Sequence, residues 1–180
     1  MVTILITGAT SGIGLSLFHK YCQAGYKVIA CGRNQQQLDK SQVEQQLKRI
    51  NHSIDKVIFN AGNCRYIDNV MHFDGELFAD VINTNLVSLG WMLEFVLPKI
   101  NRGGQLAFVS SSATILPFSR SQAYGASKAG MDYLANSLRT DLKPKSIDVT
   151  LIHPGFIKTP LTDKNDFEMP FIISSEDAAQ

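Results

Sequence analysis

The stretch VTILITGATSGIG, residues 2–14, decides the fold. Val2 to Ile6 is a short unbroken run of β-formers, the pattern of a strand covered on both faces, and Thr7-Gly8 ends it. From Gly14 the apolar residues Leu15, Leu17, Phe18 and Tyr21 recur at helical spacing until Gly25 stops them, and Lys27 to Cys31 reads as a strand again. Strand, glycine loop, helix and strand within about 30 residues make a β-α-β unit. Further along, Val57 to Phe59, Gln105 to Val109 and Val149 to Ile152 are strand-like, and helical stretches run from about Gly75 to Ile100 and from about Gln122 to Leu142. This alternation predicts an α/β protein, with an open, doubly wound, mostly parallel sheet and helices on both faces. No internal repeat is present, and the one biased segment is Gln35-Gln36-Gln37.

Composition narrows the class. A chain of 180 residues defaults to a single domain, here 1–180. With 44% hydrophobic and 18% charged residues it has the apolar side chains for a sizeable core, which excludes wholesale disorder. Seventeen Lys and Arg against sixteen Asp and Glu, with no run of like charge, give no footprint for nucleic acid. Cys22, Cys31 and Cys64 form neither a metal-ligand spacing nor an even-numbered framework, so they read as buried thiols in a reducing compartment. Met1 to Thr7 lacks a basic n-region, and no apolar segment approaches the ~18 residues of a membrane span. A soluble, cytoplasmic protein is expected.

The loop carries the first chemistry. In Gly8-Ala9-Thr10-Ser11-Gly12-Ile13-Gly14 the missing Cβ atoms allow a phosphate to approach the backbone N–H groups at a helix N-terminus, and a dinucleotide pyrophosphate is the natural occupant. A tight turn alone would also need glycines, but the strand before and the helix after favour binding. Farther on, Tyr124 and Lys128 stand four apart on a predicted helix, so both side chains emerge on one face. An ammonium beside a phenol is expected to lower the phenol from its reference pKa of ~10 toward the working range, making Tyr124 a general acid or base. The bland reading is a buried ring beside a solvated amine.

The Gly-x-x-x-Gly-x-Gly spacing and the Tyr-x-x-x-Lys pair together resemble the short-chain dehydrogenase/reductase family, and with it a Rossmann-type sheet. The resemblance covers nearly all of the chain from Val2 to Ala179. It implies an oxidoreductase that interconverts a ketone or aldehyde with an alcohol by hydride transfer. Tyr124 then moves the proton, while Lys128 tunes it and holds the nicotinamide ribose. Three adjacent serines, Ser110, Ser111 and Ser112, follow the strand ending at Val109, where open α/β sheets bind ligands; their chemistry leaves the choice open, and the resemblance selects Ser111 to hold the substrate oxygen. It also implies that Asn85 carries a water linking Lys128 to solvent. On the cofactor side it implies Thr10, Ser11 and Ile13 in the loop, the turn Asn60-Ala61-Gly62, and Pro154, Gly155, Ile157 and Thr159. No metal site is implied, and His153, ahead of Pro154, reads as structural. A homodimer or homotetramer is implied, with a small carbonyl or alcohol substrate and neither nucleic acid nor membrane as partner.

An NAD enzyme places an acid at the end of its second strand, whereas an Arg suits a 2′-phosphate. Cys31-Gly32-Arg33 has no carboxylate before Asp39, so NADP(H) is favoured with Arg33 as phosphate partner, and NAD(H) stays open; Ser11 stands where many NADP-dependent relatives carry a second basic residue. Phe118, Phe156, Leu161, Met169 and Phe171 fall in segments expected near the pocket and hint at an apolar substrate.

Two features depart from the family pattern. Only 24 residues, Gly32 to Asp55, separate the second strand from the next. Two crossovers and an intervening strand would need ~29, so one helix, roughly Lys40 to Ile50, must pass right-handedly to the face opposite the first helix. In family terms a strand, its helix and the Asp that lines the adenine are missing. Ser174-Ser175-Glu176-Asp177 reads as a helix start just before the sequence stops. The expectation is that segments near Leu38 to Ser41 and after Gln180 lie outside this sequence; an intact mass close to 19.9 kDa would refute it. Two other readings remain: a non-catalytic NADP(H)-binding regulator or scaffold of the same fold, and sugar-nucleotide epimerisation, for which the chain has little room.

Overall fold

The computed structural model describes residues 1–32 and 50–180. Strands β1 (Thr3–Thr7), β2 (Lys27–Cys31), β3 (Ile54–Phe59), β4 (Ile100–Val109) and β5 (Asp148–Ile152) form one parallel sheet in the order β2-β1-β3-β4-β5. The chain therefore crosses from β2 past β1 to reach β3. All but the last residue of the helix expected at Lys40 to Ile50, and Arg33, fall outside the described residues.

The period-two alternation of the strands sorts their side chains onto two helical layers. Ile4, Ile6, Ile58 and Val109 face one side and pack with Ile13, Leu17, Phe18 and Tyr21 of α1 (Gly12–Gln23). Leu5, Val57, Phe59, Leu106 and Phe108 face the other, against Leu89, Leu93 and Val96 of α3 (Ser88–Val96) and Met131 and Ala135 of α4 (Gln122–Leu142). This is the doubly wound α/β fold. The Phe59 and Phe108 rings stack at 4.8 Å between centroids in the middle of the second layer, and both are fully buried. Phe108→Ala should therefore destabilise the protein by about 3–5 kcal/mol, read as a lower urea midpoint at unchanged m-value.

Several boundaries shift. Helix α1 starts at Gly12 instead of Gly14. β4 begins five residues before Gln105, running through Gly103 at φ +81° and Gly104. The helix expected from Gly75 to Ile100 is α2 (Gly75–Ile82), a π-helical turn (Asn83–Val87) and α3. Single π turns of this kind concentrate at functional sites. The whole run Gly75–Lys99 has the length and apolar composition to cross a membrane, at mean hydropathy 1.2, contrary to the expectation that no segment approaches this. Leu77, Val81, Leu89, Leu93 and Val96 are buried against the rest of the protein. The last helix, α5 (Ser175–Ala178), starts as expected, the Ser174 hydroxyl accepting from the Asp177 N–H at 3.0 Å. Of the three cysteines expected to be buried, Cys22 is exposed on α1 and Cys31 and Cys64 are partly covered.

Candidate active site

The carboxyl ends of β1 and β3 are tied together at the site. The Thr7 hydroxyl accepts from the N–H groups of Asn60 and Ala61, each at 3.0 Å, and Asn60 Nδ2 donates to the carbonyls of Thr7 at 3.2 Å and Gly8 at 3.3 Å. The Ala9 N–H donates to the Cys31 carbonyl at 3.1 Å, which anchors the loop to β2. Gly8 turns at φ +67°, where a Cβ would stand 2.9 Å from Ala61 Cα, and Gly12 turns at φ +51°, where one would stand 2.9 Å from Thr159 Cγ2. A Cβ on Gly14 would collide with the Gly8 carbonyl, so Gly14 serves the close approach of α1 to the loop and lies beneath the cleft. Ser11 is the N-cap of α1 but makes no side-chain cap bond, and the first N–H groups of the helix have no partner within it.

Above this loop opens a cleft of about 330 Å³. Gly8, Thr10, Ser11, Gly12, Ile13, Asn60, Ala61, Gly62, Ser111, Tyr124, Lys128, Pro154, Gly155, Ile157 and Thr159 all line it. Positions as distant as Gly8 and Thr159 thus meet because each sits at or just beyond the carboxyl end of a strand or on the first turns of α1 or α4. Continued pairing past the ends of β4 and β5 draws the 154–159 segment to Ser111: the Ser110 N–H donates to the Ile152 carbonyl at 2.8 Å, and the Ser112 N–H to that of Pro154 at 3.0 Å.

Lys128 is 4% exposed and donates to the Val109 carbonyl at 2.7 Å; its ammonium lies 5.8 Å from the centre of the Tyr124 ring. Burial pushes this ammonium down to about 8, with Asp132 and Cys64 pushing back. Burial likewise pushes the Tyr124 phenol up to about 12, against a hydrogen bond from Ser111 that lowers it. The phenol is thus raised and not lowered as expected: burial dominates, and the Lys128 ammonium donates to the Val109 carbonyl. Ser111 also accepts from the Ala113 N–H at 3.1 Å, which orients its hydroxyl beside Tyr124.

Asn85 is fully buried in the π turn and does not reach the cleft surface. Its Oδ1 accepts from the Asn63 N–H at 2.8 Å, and its Nδ2 donates to the Asn63 carbonyl and the Ser127 hydroxyl, both at 2.9 Å. A Cβ on Gly62 would lie 3.2 Å from Asn85 Oδ1 and 3.7 Å from Lys128 Nζ, so the three are neighbours beneath the cleft. His153 pairs with Asp132 of α4 at 2.8 Å, a link between helix and strand end.

Several contributors carry no local sequence signal. Thr7 ties the strands as described. Thr162 donates to the Ile157 carbonyl at 2.6 Å and accepts from the Thr159 N–H at 3.0 Å, shaping the cleft's far rim, and Lys164 lines the same cleft. Of the apolar residues expected near the pocket, Phe118, Phe156 and Leu161 do line a cavity beside Tyr124. Met169 stands behind it, its sulfur 3.3 Å from Asn165 Nδ2, and Phe171 points to solvent at 97% exposure from a left-handed φ of +57°.

A family model described as short chain dehydrogenase matches residues 2–51 and, overlapping, 37–169. An uncharacterized oxidoreductase of Myxococcus xanthus (strain DK1622) is 33% identical over 205 aligned positions, covering 99% of this chain and 81% of that protein. That alignment is longer than the chain, so the relative carries internal residues that are lacking here, and the family match divides where the connection after β2 is short. The NADP-dependent 3-hydroxy acid dehydrogenase YdfG of Escherichia coli (strain K12) is 29% identical over 178 positions, covering 86% of this chain and 72% of its own. A serine dehydrogenase, solved in closed form complexed with NADP⁺, superposes with a TM-score of 0.88 at 28% identity, over 99% of this chain and 86% of that one. The chain belongs to the short-chain dehydrogenase/reductase family, oxidoreductases that act on CH–OH groups with a nicotinamide dinucleotide.

Proposed function

We propose that this protein is an NADP(H)-dependent oxidoreductase interconverting a small ketone or aldehyde with its alcohol, with Tyr124 as general acid in reduction and general base in oxidation. One observation carries the reading: Ser111, Tyr124 and Lys128 line the same cleft as the glycine loop and the N-terminus of α1. The loop fits a dinucleotide, because side chains at Gly8 and Gly12 would fill the cradle where a pyrophosphate must meet backbone N–H groups. Support for the phosphorylated coenzyme comes from the end of β2, Cys31-Gly32-Arg33, which offers no acid to a ribose. Two of the relatives described above are named for NADP or were solved with it.

When bound, the coenzyme supplies the hydride. The protein's own residues handle the oxygen and the proton. Ser111 donates to the substrate carbonyl oxygen and holds it against Tyr124 Oη, which polarises the carbon for attack. A phenol pushed up to about 12 keeps its proton through the neutral range, so Tyr124 is charged with the proton it must give in reduction. Lys128 holds the nicotinamide ribose and stabilises the phenolate left behind. Asn85 fixes Asn63 and Ser127 around Lys128, and we assign it to the path by which that proton is replaced.

The test is a panel of carbonyls followed at the NADPH absorbance. NADPH binding with no oxidation across the panel would favour the non-catalytic regulator. The pH profile tests the roles within the site. Lys128 titrates at about 8, so it is charged below that pH and neutral above it. We expect kcat/KM for reduction to be flat from pH 6 to 7 and to fall as the pH rises through about 8. A profile flat to pH 10 would remove the charged lysine from the reaction.

A further inference from the structure

A second cavity, about 90 Å³, opens beside the cofactor cleft and shares Ser111, Tyr124, Leu161 and Thr162 with it. Whatever is bonded to a carbonyl carbon held at Ser111 and Tyr124 must point either back into the cofactor cleft or into this cavity. Its wall combines aromatic rings with small uncharged polar side chains, among them Ser112, Ser119, Ser121 and Thr162. Phe118 meets Phe156 at 6.0 Å between centroids, Phe156 meets Phe167 at 6.1 Å, and Phe167 meets Tyr66 at 5.8 Å. The polar ends in the wall satisfy each other, the Tyr66 hydroxyl lying 2.9 Å from Asn165 Oδ1.

Among the described residues, no lysine, arginine, histidine or carboxylate lines it. Two arginines adjoin lining residues in sequence, Arg65 between Cys64 and Tyr66 and Arg120 between Ser119 and Ser121, and both are committed elsewhere. Arg65 pairs with Asp80 at 3.3 Å. The Arg120 guanidinium is held by Asp68 at 2.6 Å and Asp166 at 2.9 Å, and it lies over the Tyr66 ring with Cζ 5.5 Å from the centroid. Asp166, next to the lining residue Asn165, is already paired with Arg120, and Lys164 opens onto the cofactor cleft instead. A carboxylate entering here would lose its water and find no uncommitted cation in the wall.

We infer that this cavity receives the carbonyl's substituent and selects a compact, uncharged apolar group over one carrying a carboxylate. The inference rests on the oxidoreductase reading for what binds at Tyr124. Its size bounds the group: a cavity of ~150 Å³ takes benzene, so the occupant is no larger than a short branched chain or a single ring.

Two measurements test the inference apart from that reading. Methyl acetoacetate and acetoacetate, the same ketone as ester and as acid, are compared for kcat/KM with NADPH. Their binding to the protein saturated with NADP⁺ is followed by saturation-transfer NMR, which needs no turnover. The ester should exceed the acid by about ten-fold or more, carried in KM, and should alone show saturation transfer. Phe118→Lys, which puts a cation into the wall, should narrow that ratio. An acid bound and turned over as well as the ester overturns the inference and leaves the oxidoreductase standing, and an acid preference lost in Lys164→Ala would place the carboxylate in the cofactor cleft. Binding of the ester without turnover of either ketone overturns the oxidoreductase reading and keeps the pocket. Binding of neither overturns the pocket.

Discussion

Tyr124→Phe should lower kcat for carbonyl reduction by about 10²- to 10⁴-fold, the usual contribution of a positioned acid, while NADPH still binds and the fold holds. The substitution removes one oxygen from a ring whose slot is otherwise filled. Tyr124 packs beside the buried cluster of Ile67, Leu77, Val81 and Ala123, and phenylalanine keeps those contacts. Ser111 loses its bond to the phenol but retains the Ala113 N–H. Lys128 keeps the Val109 carbonyl. The measurement is NADPH oxidation with the best ketone of the panel, beside NADPH fluorescence titration and a urea midpoint on the same variant. Activity within ten-fold of the parent, at equal stability, would mean that the proton comes from somewhere else.

A second substitution should act on binding instead. Gly8→Ala is expected to weaken NADPH affinity by about ten-fold. A residue with a Cβ at left-handed φ costs about 1–2 kcal/mol, which the loop relieves by leaving the geometry that binds the coenzyme, and every 1.4 kcal/mol is ten-fold. The new methyl would also stand 2.9 Å from Ala61 Cα, on a backbone held by the Thr7 hydroxyl and the Asn60 side chain. Either the loop or the Asn60-Ala61-Gly62 turn must move, and both line the cleft. Gly25→Ala is the control: Gly25 also turns at positive φ, +80°, but nothing lies within 4 Å of its Cβ position. It should lose stability and bind NADPH as the parent does. Equal affinity in the two variants would mean that the glycine loop does not contact the coenzyme.

The α/β layering was legible because buried strands and amphipathic helices write different periods into the chain, and residues 2–31 carry both in succession. The short connection after β2 was legible by length, since a parallel crossover has a minimum span; the helix expected in it lies almost wholly outside the described residues. The pairing of Tyr124 with Lys128 followed from helical geometry, and both do face one cleft. Local pattern misled where tertiary packing overrode it. The strand read from Gln105 to Val109 extends back to Ile100, since β4 pairs with β3 as early as Ile100. The apolar run from Gly75 reads as one helix, but Asn85 is drawn inward to the Asn63 backbone and Ser127, and the helix widens into a π turn there. Phe171 has the composition of a pocket residue, but its left-handed backbone turns it outward.

By itself the sequence determined the order of strands and helices, the glycine turn ahead of α1, and the i, i+4 placement of phenol and amine, because each follows from backbone sterics and helical spacing among near neighbours. Only the tertiary structure decided how far each group is from water, and hence that burial pushes the Tyr124 phenol up and the Lys128 ammonium down from their ordinary values. It also decided that aromatic side chains from residues 66, 118, 156 and 167 close one uncharged cavity against Tyr124. Desolvation and cavity shape depend on every atom around a group, and most of those atoms come from distant parts of the chain.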